Sequence, residues 1–596
     1  MIKSDNPLIV QSDRTLLLDV HAPRAESCRR ALVPFAELER SPEHLHTYRL
    51  TPLSLWNASS AGFSSERAVA VLEEFSRYDI PQSVVMWVHE TAKRFGMLRL
   101  IPAPRKDDEE FLYLVCNAQT VYKEILSNPI VCKQLVPQEC ESDESITDTE
   151  KKCCFLVRLV DRGTIKQNLL KIGWPVKDDV PLADGEPLAF SLRSSTLSGR
   201  EFSVRSYQQE AAHALIGDRG PGTGFGTIVL PCGAGKTIVG MYIMAQLQTN
   251  TLIVTTNISA VHQWIEELID KTTLTSDQIA EYTGESKTIT PVTIATYQIL
   301  TWRPDKTGPY PHFSLFRKKQ WGLVIYDEVH MLPAPVFRVA AELQAVRRVG
   351  LTATLVREDG CEGHVFSLVG PKRYDVPWKE LEHAGWIASA ECVEVRLDMD
   401  AAHAIEYAVA APRQKHKLAS ENLVKEKIVC ELVSKFSDEK ILVIGQYLSQ
   451  LQRLATLLNA PIITGKTPNS ERDVLYQRFR TGAINVLVVS KVANFAIDLP
   501  DASMAIQVSG TFGSRQEEAQ RLGRILRPKE RTSRFFTLIT RNTVEEDFGS
   551  NRQKFLAEQG YSYRIIRYAN EHSFDELAAS SEILPCKTAM AEDAPA

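Results

Sequence analysis

The sequence predicts an α/β protein with two tandem lobes, each built on a parallel sheet and preceded by smaller modules. Three observations carry that prediction. Short, continuously apolar, β-branched runs alternate with longer helical stretches from about residue 200 onward, the pattern of strands covered on both faces. The runs fall into two sets separated by a gap. The chain has 596 residues, and at about 150 residues per domain that length accommodates about four domains.

The first set of runs is Thr227–Leu230, Thr251–Val254, Val292–Ala295, Leu323–Tyr326 and Val349–Thr352. The second is Ile441–Ile444, Ile462–Thr464, Val486–Val489, Met504–Val508 and Phe535–Ile539. Three punctuation points precede or interrupt them. Residues 139–150 carry six acids and no Lys or Arg, a solvated stretch that repels phosphate. Residues 178–200 are rich in Pro, Gly and Ser, and 217–226 are rich in Gly. The predicted division is 1–95, a helical or mixed N-terminal module; 96–185, a small α/β module; 186–395 and 396–568, the two lobes; and 569–596, a tail.

Composition narrows the class. Hydrophobic residues are 44% and charged residues 24%, which excludes disordered, collagen-like and coiled-coil chains. Net charge is −5, from 69 Lys and Arg against 74 Asp and Glu, so any nucleic-acid contact must come from local patches. Eleven scattered cysteines with no C-x-x-C pair read as reduced thiols of a cytosolic protein. The N-terminus lacks a signal peptide's apolar region, and no run approaches a membrane span's ~18 apolar residues.

Leu230-Pro231-Cys232-Gly233-Ala234-Gly235-Lys236-Thr237 follows a predicted strand and precedes a predicted helix, Ile238–Gln248. Its end matches G-K-[ST], the close of a phosphate-binding loop. Small residues let backbone N–H groups surround phosphate oxygens at a helix N-terminus. Lys236 suits the β- and γ-phosphates, and Thr237 suits magnesium. Leu230 stands where the full motif has its first Gly. The apolar run Leu323–Tyr326 ends in Asp327-Glu328, with His330 two positions on. Asp327 suits magnesium, and Glu328 suits a general base for the attacking water. In Gln516–Arg527, Arg521, Arg524 and Arg527 are spaced by three and share a helical face. From the second lobe, Arg524 and Arg527 suit arginine fingers and Gln520 suits nucleotide contact.

Together these strings resemble superfamily-two nucleic-acid helicases, and within them the XPB family. Arg205-Ser206-Tyr207-Gln208-Gln209 resembles the adenine-reading segment, through Arg205 and Gln208. Thr352-Ala353-Thr354 resembles the coupling motif, and Arg357-Glu358-Asp359 the R-E-D motif associated with unwinding. Ser490-Lys491-Val492 and Asp498-Leu499-Pro500 resemble the fifth motif, and Gln559–Tyr563 the C-terminal signature. His46–Trp56 resembles the XPB N-terminal domain.

The resemblance implies RecA-like lobes, a damage-recognition-like module over about 96–178, and ATP- and magnesium-dependent 3′-to-5′ movement on DNA, with roles in repair or DNA opening. It implies cytoplasmic placement at the nucleoid for a bacterial protein, nuclear placement for a eukaryotic one, and a nuclease as a possible partner. Thr256, Thr296 and Lys491 are the expected DNA contacts, and residues 491–567 hold 13 Lys and Arg against 9 Asp and Glu. The family's basic insertion between the lobes is reduced here to about Asp398–Asn422, with the basic run Arg413–Lys417. Two other readings stay open: RNA-directed unwinding, and an ATP-switched clamp or scaffold in a larger assembly with little strand separation.

Overall fold

The computed structural model describes residues 3–577 apart from 33, 41–44, 104–110, 133–134, 139–151, 159–160, 218–222, 232, 306–309, 333–335, 337–345, 354–361, 377, 491–501, 511–531, 551–560, 562 and 576. The chain divides into two compact units. One is Met1–Val229 with Gly235–Asp375, and the other is Leu230–Ala234 with Val376–Ala596.

The first unit holds three sheets. Near the N-terminus, Leu8–Val10, Thr15–Asp19, Leu45–Arg49 and Glu37–Arg40 form an antiparallel sheet in that order. The His46–Trp56 segment forms its third strand and then the helix Pro52–Ser60. Thr51 caps that helix by accepting from Ser54 N, with Pro52 in the first turn, where its missing N–H costs nothing. The next sheet runs Val136–Pro137, Cys154–Arg158, Phe111–Cys116, Leu98–Pro102 and Val176–Asp178. Its last strand pairs in parallel with Leu98–Pro102, so Trp174-Pro175 leads directly into the closing edge.

The third sheet is the first lobe. Its seven parallel strands run Ile279–Tyr282, Val292–Thr296, Thr251–Thr255, Leu323–Asp327, Arg347–Thr352, Phe225–Val229 and Lys372–Asp375. All five predicted runs are present, and their interiors are solvent-excluded, as continuous apolarity requires. The Gly-rich 217–226 stretch is shorter than read, because the strand already begins at Phe225. Gly226 lies inside it at φ +153°, where a Cβ would come within 2.4 Å of the Arg373 side chain. Part of the Pro/Gly/Ser stretch 178–200 is laid along this lobe, bridging Ala183 to Val346, Pro187 to Thr249 and Leu192 to Thr272.

The second unit carries the second lobe. Its parallel order is Ile462–Ile463, Val486–Ser490, Ile441–Gly445, Met504–Gln507, Ser533–Thr540, Ala390–Leu397 and Tyr563–Arg567. Residues 398–422 form two short helices, Ala401–Val409 and Pro412–Ser420. The basic run there does not face outward throughout. His416 is buried, its Nδ1 2.8 Å from Tyr447 Oη, and Lys417 pairs with Glu421 at 3.6 Å. Among the described residues, no helix is long and apolar enough to cross a membrane.

Candidate functional site

The strand order of the first lobe brings the chemistry together. The strand leading to the phosphate loop and the strand ending in Asp327 flank Arg347–Thr352, so all three open at one sheet edge. That edge is the C-terminal one, where open α/β sheets place ligands.

The helix after the loop spans Lys236–Leu247 and starts two residues earlier than the periodicity predicts. Gly233 and Gly235 adopt left-handed conformations, φ +81° and +77°. Gly235 is therefore required twice over: by its φ, and because a Cβ there would sit 2.6 Å from Gln208 Nε2. Gln208 is 3% exposed and is held in place by its Oε1, which accepts from Arg205 N at 3.0 Å. The sequence-predicted adenine-reading pair and the phosphate loop are thus packed against each other. Ala234 is fully buried and its N–H donates to Pro231 O at 3.2 Å, while Leu230 fills the core. Cys232 lies outside the described residues.

Lys236 Nζ stands 3.8 Å from Glu328 Oε1. Glu328 has a left-handed backbone, φ +49°, unusual for a side-chain-bearing residue and a mark of local strain at functional sites. Its Oε2 is buried and hydrogen-bonds to no described group; the His330 ring, 3.5 Å away, is not placed to donate to it. Asp327 is gripped from three sides. Its Oδ2 accepts from Trp264 Nε1 at 2.9 Å and Thr255 Oγ1 at 3.4 Å, and its Oδ1 accepts from Glu328 N at 3.0 Å. Its backbone carbonyl accepts from Tyr297 Oη at 2.9 Å. Burial, then the Glu328 charge, pushes the Asp327 carboxyl up to about 6, against the pull of Trp264 and Lys236. A half-buried pair of adjacent carboxylates, one oxygen without a hydrogen-bond donor among the described residues, beside a lysine and a glycine cradle fits a magnesium–nucleotide group. Asp327 and Thr237 are the magnesium-holding candidates, and Lys236 with the 233–235 backbone the phosphate-holding ones.

His330 is buried and its Nδ1 lies 2.6 Å from Thr352 Oγ1, which ties the acid motif to the start of Thr352-Ala353-Thr354. Thr354, Arg357, Glu358, Asp359, Lys491, Asp498, Gln520, Arg524 and Arg527 lie outside the described residues. Of the expected DNA contacts, Thr256 Oγ1 accepts from Asn257 Nδ2 at 2.9 Å. Asn257 in turn caps the helix Ile258–Lys271 by accepting from Ala260 N. Thr296 is 4% exposed and its hydroxyl caps the helix Tyr297–Thr301, accepting from Ile299 N at 3.2 Å.

Of the residues that hold Asp327, Trp264 is not among the predicted site residues, while Thr255 and Tyr297 lie in the segments Thr255–Asn257 and Thr296–Gln298 expected to face DNA rather than to grip the acid. Trp264 lies on the helix Ile258–Lys271, which starts directly after the first of those segments, and that adjacency is the available signal for it.

Three family models match parts of the chain. "ERCC3/RAD25/XPB C-terminal helicase" covers 381–584, "Type III restriction enzyme, res subunit" covers 201–357, and "Helicase conserved C-terminal domain" covers 8–138. Similarity extends over nearly the whole length of curated proteins. A Kineococcus radiotolerans protein named DNA 3′-5′ helicase XPB is 51% identical over 94% of this chain and 97% of its own. A Mycobacterium tuberculosis protein of the same name is 49% identical over 95% and 99%.

The chain belongs to the XPB family of DNA helicases.

Within that family it also aligns, at 33% identity over 94% of this chain and 81% of the other, with an Antonospora locustae protein. That protein is named general transcription and DNA repair factor IIH helicase/translocase subunit XPB.

Proposed function

We propose that this XPB-family enzyme is a DNA-stimulated ATPase that moves 3′ to 5′ on DNA and opens duplexes during repair. The observation that carries the reading is the Lys236–Glu328–Asp327 constellation at the mouth of the first lobe. Lys236 and the loop backbone bind the β- and γ-phosphates. Asp327 and Thr237 hold magnesium, which when bound neutralises phosphate charge. Glu328 accepts a proton from the attacking water, and its donor-free Oε2 is available for that bond. Arg205 and Gln208 orient the base, and Gln520, Arg524, Arg527 and Asp498 are assigned to nucleotide contact. Thr255 adjoins the Thr256 segment and also bonds Asp327, so strand binding and magnesium geometry share one short path. Arg357, Glu358 and Asp359 act at the duplex fork, with Lys491 and Thr256 on the strand. The protein works in a cytoplasmic, nucleoid setting, with a nuclease or repair complex as its partner.

The test is ATP hydrolysis with and without single-stranded DNA, for the parent and Glu328→Gln. Loss of at least about 100-fold in stimulated kcat with retained ATP binding is expected, from the general-base contribution. Full stimulated turnover in Glu328→Gln would remove the base assignment. Running RNA beside DNA separates the RNA-directed reading, because backbone contacts alone discriminate poorly between the sugars.

A further inference from the structure

The first lobe exposes one large aromatic ring that its core does not use. Of the chain's eight tryptophans, Trp302 alone is exposed, at 51%. It ends the helix Tyr297–Thr301, and its backbone N–H donates to Ile299 O at 3.2 Å. Gln298 and Trp302 are four residues apart, so they share a face of that turn. Both are exposed, while Tyr297, Ile299 and Leu300 are buried in the core. Thr296, which caps the helix, lies about 9 Å back along the axis. The indole therefore extends the segment Thr296–Gln298, which is expected to face DNA.

The ring is held in place from one side. The His312 ring lies 5.8 Å from it between centroids, tilted by 56°. His312 is buried, its Nδ1 is 3.0 Å from Tyr282 Oη, and the Tyr282 ring meets it edge-on at 5.7 Å. The support thus comes from two other elements, the strand Ile279–Tyr282 and the short helix Pro311–Arg317. A large ring fixed before contact loses little freedom on binding.

The chain around the ring is basic. Residues 285–319 hold six Lys and Arg against Glu285 and Asp305. Lys287 and Lys318 are exposed, and after burial their charges help hold the His312 ring below its ordinary value. Arg303 lies over the Tyr310 ring, 4.8 Å from its centroid. Exposed apolar bulk is otherwise scarce. Among the described residues of 201–375, Met331 is the other exposed large apolar side chain. A protein interface would surround such an indole with further apolar surface. A single strand instead offers a base to the ring and phosphates to the lysines.

We propose that Trp302 is a stacking platform for one base of the DNA strand held by the first lobe, with Lys287 and Lys318 beside that strand's phosphates. The inference rests on the reading of the protein as a DNA motor. The contact is indifferent to sequence, because every base has a π-face, but it requires a base.

The experiment titrates the full-length parent and Trp302→Ala with a labelled oligothymidylate and with an abasic strand of equal length and charge, across a salt series. The parent should prefer the oligothymidylate. Trp302→Ala should lose at least about fivefold in oligothymidylate affinity, the lower end of base–aromatic stacking. Its abasic-strand affinity and salt slope should be unchanged, and Trp302→Phe should keep most of the preference. Acrylamide quenching of the parent's tryptophan fluorescence tests the contact without a substitution: saturating oligothymidylate should shield the exposed indole, and the abasic strand should not. Equal oligothymidylate affinity in parent and Trp302→Ala, or an indole left open to acrylamide at saturation, would overturn the proposal and leave the ring to a protein partner. Failure of the motor reading looks different: the parent itself would then show neither salt-dependent DNA binding nor DNA-stimulated hydrolysis, and both inferences would fall.

Discussion

Trp264→Phe isolates one hydrogen bond from the ring that carries it. The indole N–H donates to Asp327 Oδ2 at 2.9 Å, a bond to a charged acceptor in a partly buried setting. Such bonds contribute about 1.5–3 kcal/mol. The remaining donors to that carboxylate are Thr255 at 3.4 Å, a long bond, and Glu328 N at 3.0 Å on the other oxygen. If the bond fixes Asp327 in the geometry magnesium requires, its loss weakens apparent magnesium affinity by about 10- to 100-fold, the usual effect of removing a group that orients a metal ligand. The ring also packs over Gly240, where a Cβ would lie 2.6 Å from the indole edge, so phenylalanine leaves part of that space empty. Stability alone therefore cannot separate the two roles. The assay is DNA-stimulated hydrolysis across a magnesium titration at saturating ATP and DNA. The expected result is a magnesium requirement raised at least tenfold with turnover recovering at high magnesium. An unchanged magnesium curve beside a lowered melting temperature would refute the positioning role and leave Trp264 as packing.

Two other perturbations follow from described contacts. In the second lobe, Lys425 and Glu545 form a buried pair (2.8 Å), with Ser420 and the Thr540 N–H also donating to the carboxylate. Glu545→Gln strands the ammonium and should cost about 3–5 kcal/mol, read as faster hydrogen exchange in Ile441–Gly445. Burial alone would raise the Glu545 carboxyl, but Lys425 and the donors outweigh it and hold it below its ordinary 4.5. That contribution is therefore present above pH 4.5 and lost as pH falls through the folded value, so the parent's acid sensitivity in this lobe should flatten in Glu545→Gln. Thr352→Val removes the 2.6 Å contact with His330 while keeping the side chain's shape. Stimulated hydrolysis should stay within a few-fold while strand displacement per ATP drops about tenfold or more, measured on one forked substrate; equal losses in both would contradict a coupling role.

What was legible in the sequence follows burial and local spacing. Strands buried on both faces read directly, such as Leu323–Asp327 and Ile441–Gly445. Ala390–Leu397 escaped because Glu391, Glu394 and Arg396 interrupt its apolar run. In the fold Glu394 is buried and accepts from Arg396 two residues along the same face of the strand, so a local ion pair offsets what composition argues against. Lys372–Asp375 is a half-exposed edge with no apolar run at all. The phosphate loop and the tandem acids were legible because each is a contiguous string. The grip on Asp327 was not, because Thr255, Trp264 and Tyr297 come from three separate elements and meet only through strand order.

In the proposed function, ATP hydrolysis at Lys236 and Glu328 drives directional movement on DNA. Its most direct measurement is strand displacement on two partial duplexes that differ only in bearing a 3′ or a 5′ single-stranded tail. Displacement of the 3′-tailed substrate is expected with ATP and magnesium, with little on the 5′-tailed one and none with Lys236→Ala. Equal displacement of both substrates, or displacement that persists in Lys236→Ala, would contradict it.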